Sequence, residues 1–147
     1  MVFASKWVVA QMRSYKLLAV TAAGLLALSG CATAGSDTPN AQEGSVVNGC
    51  KIQPNTDCKG AKLAGADLHD ANLSGANLEG ADLTGTNLMS SNLTNANLSG
   101  AKVWYTDLQS ADLTGAKTTG AEFANANLIH ATCPDGSEAV NSQCPNV

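Results

Sequence analysis

Residues 61–100 read AKLAGADLHD ANLSGANLEG ADLTGTNLMS SNLTNANLSG, with an apolar residue returning at every fifth position. The register runs from Thr56 to Cys133 without a slip, and internal repeats are settled before other patterns. The central residues, here called hubs, are Cys58, Leu63, Leu68, Leu73, Leu78, Leu83, Leu88, Leu93, Leu98, Val103, Leu108, Leu113, Thr118, Phe123, Leu128 and Cys133. Two residues before the hub stands Ala in twelve of sixteen units, and Thr56, Thr86, Ser91 or Thr106 in the others. The residue immediately before the hub is polar or charged throughout. Two residues after it, Gly occupies eight of fifteen units, and Ser, Asn or Asp most of the rest.

A helix does not accommodate this period. At about 100° per residue the hubs would wander round the helix and form no stripe, and each interior glycine would cost about 1 kcal/mol. Long strands fail as well, because alternation survives only three residues at a time. The pattern suits a short extended segment with two inward side chains, followed by a turn. Repeated, this is a solenoid whose units bury an apolar face only against their neighbours.

Ala66-Asp67-Leu68, Ala71-Asn72-Leu73-Ser74-Gly75 and Ala81-Asp82-Leu83-Thr84-Gly85 resemble the A(D/N)LxX motif of pentapeptide-repeat proteins. The resemblance implies an all-β fold, a right-handed quadrilateral β-helix with four pentapeptides per coil. It implies about four coils here, stacked to roughly 20 Å at the strand spacing of a sheet. Residues twenty apart should then lie one above another. Lys62, Asp82, Lys102 and Glu122 form one such column of alternating sign, and Lys59 pairs with Glu79 in another. Such neighbours stabilise by roughly 0.2–1 kcal/mol each.

The segment before the repeat has a different chemistry. Arg13 and Lys16 precede the apolar run Leu17–Leu28, twelve residues long. That is too short to span a bilayer and right for the apolar stretch of a signal peptide. Leu28-Ser29-Gly30-Cys31 resembles the lipobox of bacterial lipoproteins, which implies that Cys31 is acylated and becomes the mature N-terminus. Met12 offers an alternative start with a shorter leader. The chain is thus read as a leader (1–30), a small, polar, flexible tether (31–48) and a capped repeat domain (49–147). Two or more lipid chains give stable membrane anchoring. Ala32 after the cysteine points to an outer membrane if the host is Gram-negative.

Beyond Cys31 four cysteines remain: Cys50, Cys58, Cys133 and Cys144. An even number in an exported small domain favours disulfides, and three pairings are possible. Cys58 and Cys133 are the first and last hubs, separated by nearly four coils and beyond the reach of a disulfide, about 7 Å between Cα atoms. Cys50–Cys58 and Cys133–Cys144 close local loops that would fasten a cap over each end of the solenoid. Open β-helix ends expose unpaired backbone and apolar hubs, so caps oppose end-to-end association. A four-cysteine zinc site would require the two ends to meet.

Composition narrows the function. From residue 31 onward twelve acids face five lysines, a net of −7. Such a chain would repel nucleic acid phosphates instead of releasing counterions. His69 and His130, the two histidines, fall about 14 Å apart on the coil spacing and cannot share a metal. Asp67 and Asp107 fall near 10 Å apart, on the border of inverting-glycosidase geometry. A flat wall nevertheless offers no cleft in which to position a sugar. No catalytic residue, metal site, cofactor, nucleic acid or small-molecule substrate is expected.

After hub Val103 come Trp104 and Tyr105, at positions otherwise small or polar. Their column neighbours are Thr84 and Ala124, and Gly85 and Asn125, so both rings should stand proud of the wall. Exposed aromatics are typical interface anchors, and Met89 and Ile129 on the next wall extend the patch. The expected function is a non-catalytic envelope lipoprotein, attached to the membrane by its lipid, that serves as a scaffold or binds an envelope protein. The alternative is a DNA-mimicking inhibitor of a topoisomerase such as gyrase, as in a branch of the resembled family. Within residues 56–132, however, eight acids face four lysines, the rod is short, and an exported protein would not meet gyrase. An ice-binding reading rests on the hydroxyl column Ser74, Thr94 and Thr114, which is three residues long and one column wide.

Overall fold

The computed structural model describes residues 42–145 and 147. The expected leader, the lipidation residue Cys31 and the first part of the tether lie outside these residues. The described chain begins with an antiparallel hairpin, β1 (Val46–Val47) and β2 (Cys50–Lys51), in which Val46 pairs with Lys51 and Val47 with Cys50. The tether expected to run through Asn48 therefore ends earlier. Its last residues carry a hairpin signal that composition alone concealed. Asn48 and Gly49 both adopt positive φ (48° and 84°), the requirement of a two-residue turn whose twist matches its strands.

From Asp57 to Thr132, twelve parallel bridges link residues twenty apart, beginning with Asp57–Asn77 and ending with Asp112–Thr132. The chain therefore coils with four pentapeptides per turn and builds four walls. Residues preceding the hubs define them. Wall 1 carries Asp57, Asn77, Asn97 and Lys117, and wall 2 carries Lys62, Asp82, Lys102 and Glu122. Wall 3 carries Asp67, Asn87, Asp107 and Asn127, and wall 4 carries Asn72, Asn92, Asp112 and Thr132.

One pentapeptide shows how the backbone is satisfied. Ser91 N–H donates to Leu88 O across the corner (3.1 Å), and Asn92 N–H to Ala71 O in the coil before (2.9 Å). Leu93 N–H and Asn95 N–H donate to Asp112 O and Thr114 O in the coil after (both 2.8 Å). The remaining donor, Thr94 N–H, reaches the side chain of Asn92, whose Oδ1 accepts at 3.0 Å. All five N–H groups thus find an acceptor, as backbone accounting demands. The last bond explains why Asp or Asn precedes so many hubs: a short side chain with an acceptor closes the fifth donor. The same bond recurs at Asp57, Asp67, Asn77, Asp82, Asn97, Asp107 and Asp112, among others. Lys62, Lys102 and Lys117 offer no acceptor there.

Each corner turns on one left-handed residue. Every fifth position from Gly60 to His130 has positive φ, between 54° and 71°. That conformation at the third residue of a turn is the type II signature, and it favours glycine. On the corner between walls 4 and 1, Asn55, Gly75, Asn95 and Gly115 alternate for a further reason. A Cβ at Gly75 or Gly115 would collide with Oδ1 of Asn55 or Asn95 respectively.

Inside, the hubs from Leu63 to Leu98 are at most 1% exposed, with Ala76, Ala81, Ala96 and Ala101 filling the space beside them. The non-alanine fillers keep their hydroxyls bonded: Thr86 Oγ1 donates to Leu63 O, Thr106 Oγ1 to Leu83 O, and Ser91 Oγ to Leu88 O. Buried polar atoms paired in this way avoid the desolvation cost of an unmade bond.

Both ends carry disulfide-held caps. Cys50–Cys58 (Cα–Cα 5.2 Å) fixes the hairpin so that Ile52 is fully buried over the first coil. Cys133–Cys144 (Cα–Cα 5.5 Å) fixes the C-terminal segment, whose Glu138 pairs antiparallel with Thr132. The upper cap covers its end less completely. Thr118 and Phe123 are only partly buried hubs. An open cavity of about 250 Å³ lies among Phe123, Leu128, Ser142, Gln143, Cys144 and Val147.

Leu83 is fully buried with coils on either side, so Leu83→Ala leaves a cavity that two fixed neighbours cannot close. A loss of about 2–5 kcal/mol is expected, measured by urea denaturation of the oxidised protein.

Candidate interaction surface

The polar groups on the walls are engaged with one another. On wall 3 the Asn87 amide donates to Asp67 Oδ1 (2.9 Å), and the Asn127 amide to Asp107 Oδ1 (3.1 Å). Asp67 and Asp107 are thus separated by Asn87 in their column and each accepts an amide proton from the coil after it. His69 Nδ1 lies 2.8 Å from Asp67 Oδ1. The His69 hydrogen bond holds the Asp67 carboxyl below the ordinary carboxylate value of 3.8, and the same bond raises His69 above 6.5. His130 instead meets Glu138 of the C-terminal cap at 3.0 Å, so the two histidines serve different neighbours.

Lys59 and Glu79 form the expected ion pair at 2.9 Å, on exposed side chains, where such pairs contribute at most about 1 kcal/mol. In the wall 2 column, Asp82 turns its carboxylate to the Thr84 hydroxyl (2.6 Å) and N–H (3.1 Å). Those two bonds lower its pKa first; Lys102 and Lys62 act more weakly. In the hydroxyl column on wall 4, Thr94 and Thr114 donate their hydroxyl protons to Asn92 and Asp112. These hydroxyls serve the fold, and they do not form an outward donor array.

The aromatic pair departs from the repeat in geometry as well as composition. Tyr105 occupies the corner between walls 2 and 3, and it holds φ of 54° with its side chain two-thirds exposed (67%). A bulky residue in that region is an outlier. Fourteen of the fifteen corners between Cys58 and Ala131 are closed by a hydrogen bond from the residue after the corner to the hub before it. The corner from Val103 to Thr106 is the exception among the described residues. Trp104 is exposed as well, to 36%. Lys102 Nζ lies 5.7 Å from its indole ring centroid, within cation–π range. Met89 (37%) and Ile129 (46%) are exposed on wall 3, in the coils before and after Gln109. The surface thus comprises one projecting phenol, one indole lying under an ammonium group, and two flanking aliphatic side chains.

Comparison with known proteins places this architecture. The family described as pentapeptide repeats matches residues 55–88, 91–128 and 106–135, in 8 copies. The chain belongs to the pentapeptide-repeat family, and its four walls are the family's right-handed quadrilateral β-helix. Among solved structures it is similar to HetL, a pentapeptide repeat protein involved in heterocyst differentiation regulation from the cyanobacterium Nostoc sp. strain PCC 7120. That match is 31% identical over 68% of this chain and 43% of that chain, with a TM-score of 0.61. The chain therefore spans less than half the length of HetL. Rfr23 from the cyanobacterium Cyanothece 51142 is 37% identical over 46% of this chain and 50% of that one, with a TM-score of 0.33. A pentapeptide repeat protein of the Arabidopsis thaliana thylakoid lumen is 22% identical over 78% and 91% respectively, with a TM-score of 0.27. A search of curated proteins found no match.

Two measurements test this surface. The Asp67–His69 pair has a signed pH dependence. Asp67, with its pKa lowered, contributes stability present above the unfolded value of 3.8 and lost as pH falls through its folded value. His69, with its pKa raised, contributes stability complete below 6.5 and lost as pH rises through its folded value. The pair therefore stabilises most between these limits. NMR titration should place His69 above 6.5, and Asp67→Asn should bring it back towards that value. At the corner, Tyr105→Gly should preserve the fold and raise stability by up to about 1 kcal/mol, as relief of left-handed strain outweighs glycine's entropy. Thermal unfolding reads the change.

Proposed function

We propose that this chain is a non-catalytic pentapeptide-repeat scaffold, exported and held at the cell envelope by a lipid on Cys31. The observation that carries the reading is the pair of disulfides, one at each end of the solenoid. Structural disulfides persist in oxidising compartments and are rare in the cytosol, so they favour export. The apolar run Leu17–Leu28 and the sequence Leu28-Ser29-Gly30-Cys31 supply a route for that export and a residue to acylate. The walls support a binding role over a catalytic one. Asp67, Asp107 and His69 bond to wall neighbours, and the residues that break the repeat outward are Trp104 and Tyr105.

The DNA-mimicking alternative is not favoured. It needs a long, uniformly acidic rod in the cytoplasm, whereas the wall 2 column alternates Lys62, Asp82, Lys102 and Glu122.

Intact-mass spectrometry of the natively purified protein, with and without reduction and alkylation, tests the proposal. The expected species starts at Cys31, carries acyl chains, and gains four alkyl groups only after reduction. An unprocessed chain with freely alkylated thiols would overturn it.

A further inference from the structure

The exposed apolar side chains of the repeat are not scattered. Between Thr56 and Cys133, the large apolar residues on the surface are Met89, Trp104, Tyr105 and Ile129. All four fall on walls 2 and 3 or the corner joining them. The outer positions of walls 1 and 4 hold Lys59, Glu79, Ser99, Ser74, Thr94 and Thr114 instead. One long edge of the solenoid is amphipathic, and the opposite edge exposes no large apolar side chain among the described residues of the repeat.

We propose that this edge is a membrane-docking surface, which lays the solenoid side-on against a zwitterionic lipid bilayer. The proposal rests on the lipid-anchor reading above. Its chemistry is that of the bilayer interface. Trp and Tyr are the side chains enriched at headgroup level, where an apolar ring meets a polar rim. Lys102 beside the Trp104 ring can lay its aliphatic stem on the apolar zone with its ammonium in the headgroups. The partner is uncharged overall because Lys62 and Lys102 offset Asp82 and Glu122 on wall 2, while Asp67 and Asp107 on wall 3 would oppose an anionic surface.

The aromatic part of this edge is small. With exposures of 36% and 67%, the two aromatic side chains present roughly 200 Å² at 150–250 Å² per ring. A stable protein interface takes about 800 Å² from each partner. A patch this small suffices when a tether makes docking intramolecular and supplies the effective concentration.

The connection to the anchor keeps this edge within reach of the membrane. In the N-terminal hairpin, Asn48 donates its side-chain amide to Lys62 O at 2.7 Å, so the hairpin turn touches the base of wall 2. Trp104 stands two coils further along that wall, about 10 Å away. Twelve residues separate Cys31 from Gly44, and a chain of that length spans at most about 40 Å. An acyl chain on Cys31 therefore permits the edge to meet the membrane. The strain at Tyr105 has its reason here: a left-handed corner projects the ring furthest from the wall, and strain of this kind persists where function requires it.

The full chain carries two tryptophans, Trp7 and Trp104. In a Trp7→Phe protein, natively purified and reconstituted into phosphatidylcholine vesicles, emission reports on Trp104 alone. Lipids brominated near the headgroup should quench most of that emission. Adding phosphatidylglycerol should not deepen the quenching. Tyr105→Gly combined with Ile129→Ser should remove most of it while flotation with the vesicles and the circular dichroism spectrum persist. Acylated protein that floats with vesicles but keeps its emission would overturn the docking and leave the anchor intact. A blue-shifted emission insensitive to brominated lipid would mean that a protein covers Trp104, and would also overturn it. A chain without acyl groups would overturn the anchor. The docking, which depends on that tether for its effective concentration, would fall with it.

Discussion

A left-handed residue at every fifth position is the constraint on which the structure depends. It turns the chain through a corner after each short extended segment, and four corners return it above its starting point. Only then do hub N–H groups meet carbonyls nineteen residues on, as Leu83 meets Lys102. The same closure places leucine over leucine, so hydrogen bonding and apolar burial are satisfied by one geometric event. Neither is available to an isolated unit, which has no neighbour to bond or to cover it.

This economy leaves little freedom inside and much outside. Hub and filler positions in the central coils take one aliphatic and one small residue, and Asp or Asn before the hub is bound to the backbone through its own Oδ1. The side chains after the hub touch little, so a function can be written there without disturbing the coil. Trp104 and Tyr105 use that freedom and exceed it. The Tyr105 corner loses its turn hydrogen bond while the coil above it, at Ala124, still accepts Tyr105 N–H. The ladders around the corner hold the strained residue in place.

The ends follow a different logic from the middle. A solenoid has no intrinsic last coil, and its terminal backbone groups would pair with any matching edge. The hairpin and the C-terminal segment interrupt that edge, and the disulfides keep them seated. The upper end is the weaker one. Thr118 and Phe123 are poor hubs, and the cavity beside Phe123 shows where leucine-quality packing stops.

The period, the two hub cysteines as first and last units, and the aromatic break at Trp104 and Tyr105 were all legible in the residues. Each is a property of linear spacing, and spacing survives without coordinates. The family resemblance supplied the four-sided section, which period five alone does not specify. Three features needed the tertiary structure. The role of Asp and Asn before the hub is invisible as mere polarity, because it is a bond to an N–H two residues on. The alternation of Asn95 with Gly115 is a collision avoided between residues twenty apart. The contact of the Lys102 ammonium with the Trp104 ring is a matter of side-chain placement that spacing does not reveal. Sequence determined the repeat because backbone conformation is local; the structure decided which side chains meet, because that depends on neighbours a whole coil away.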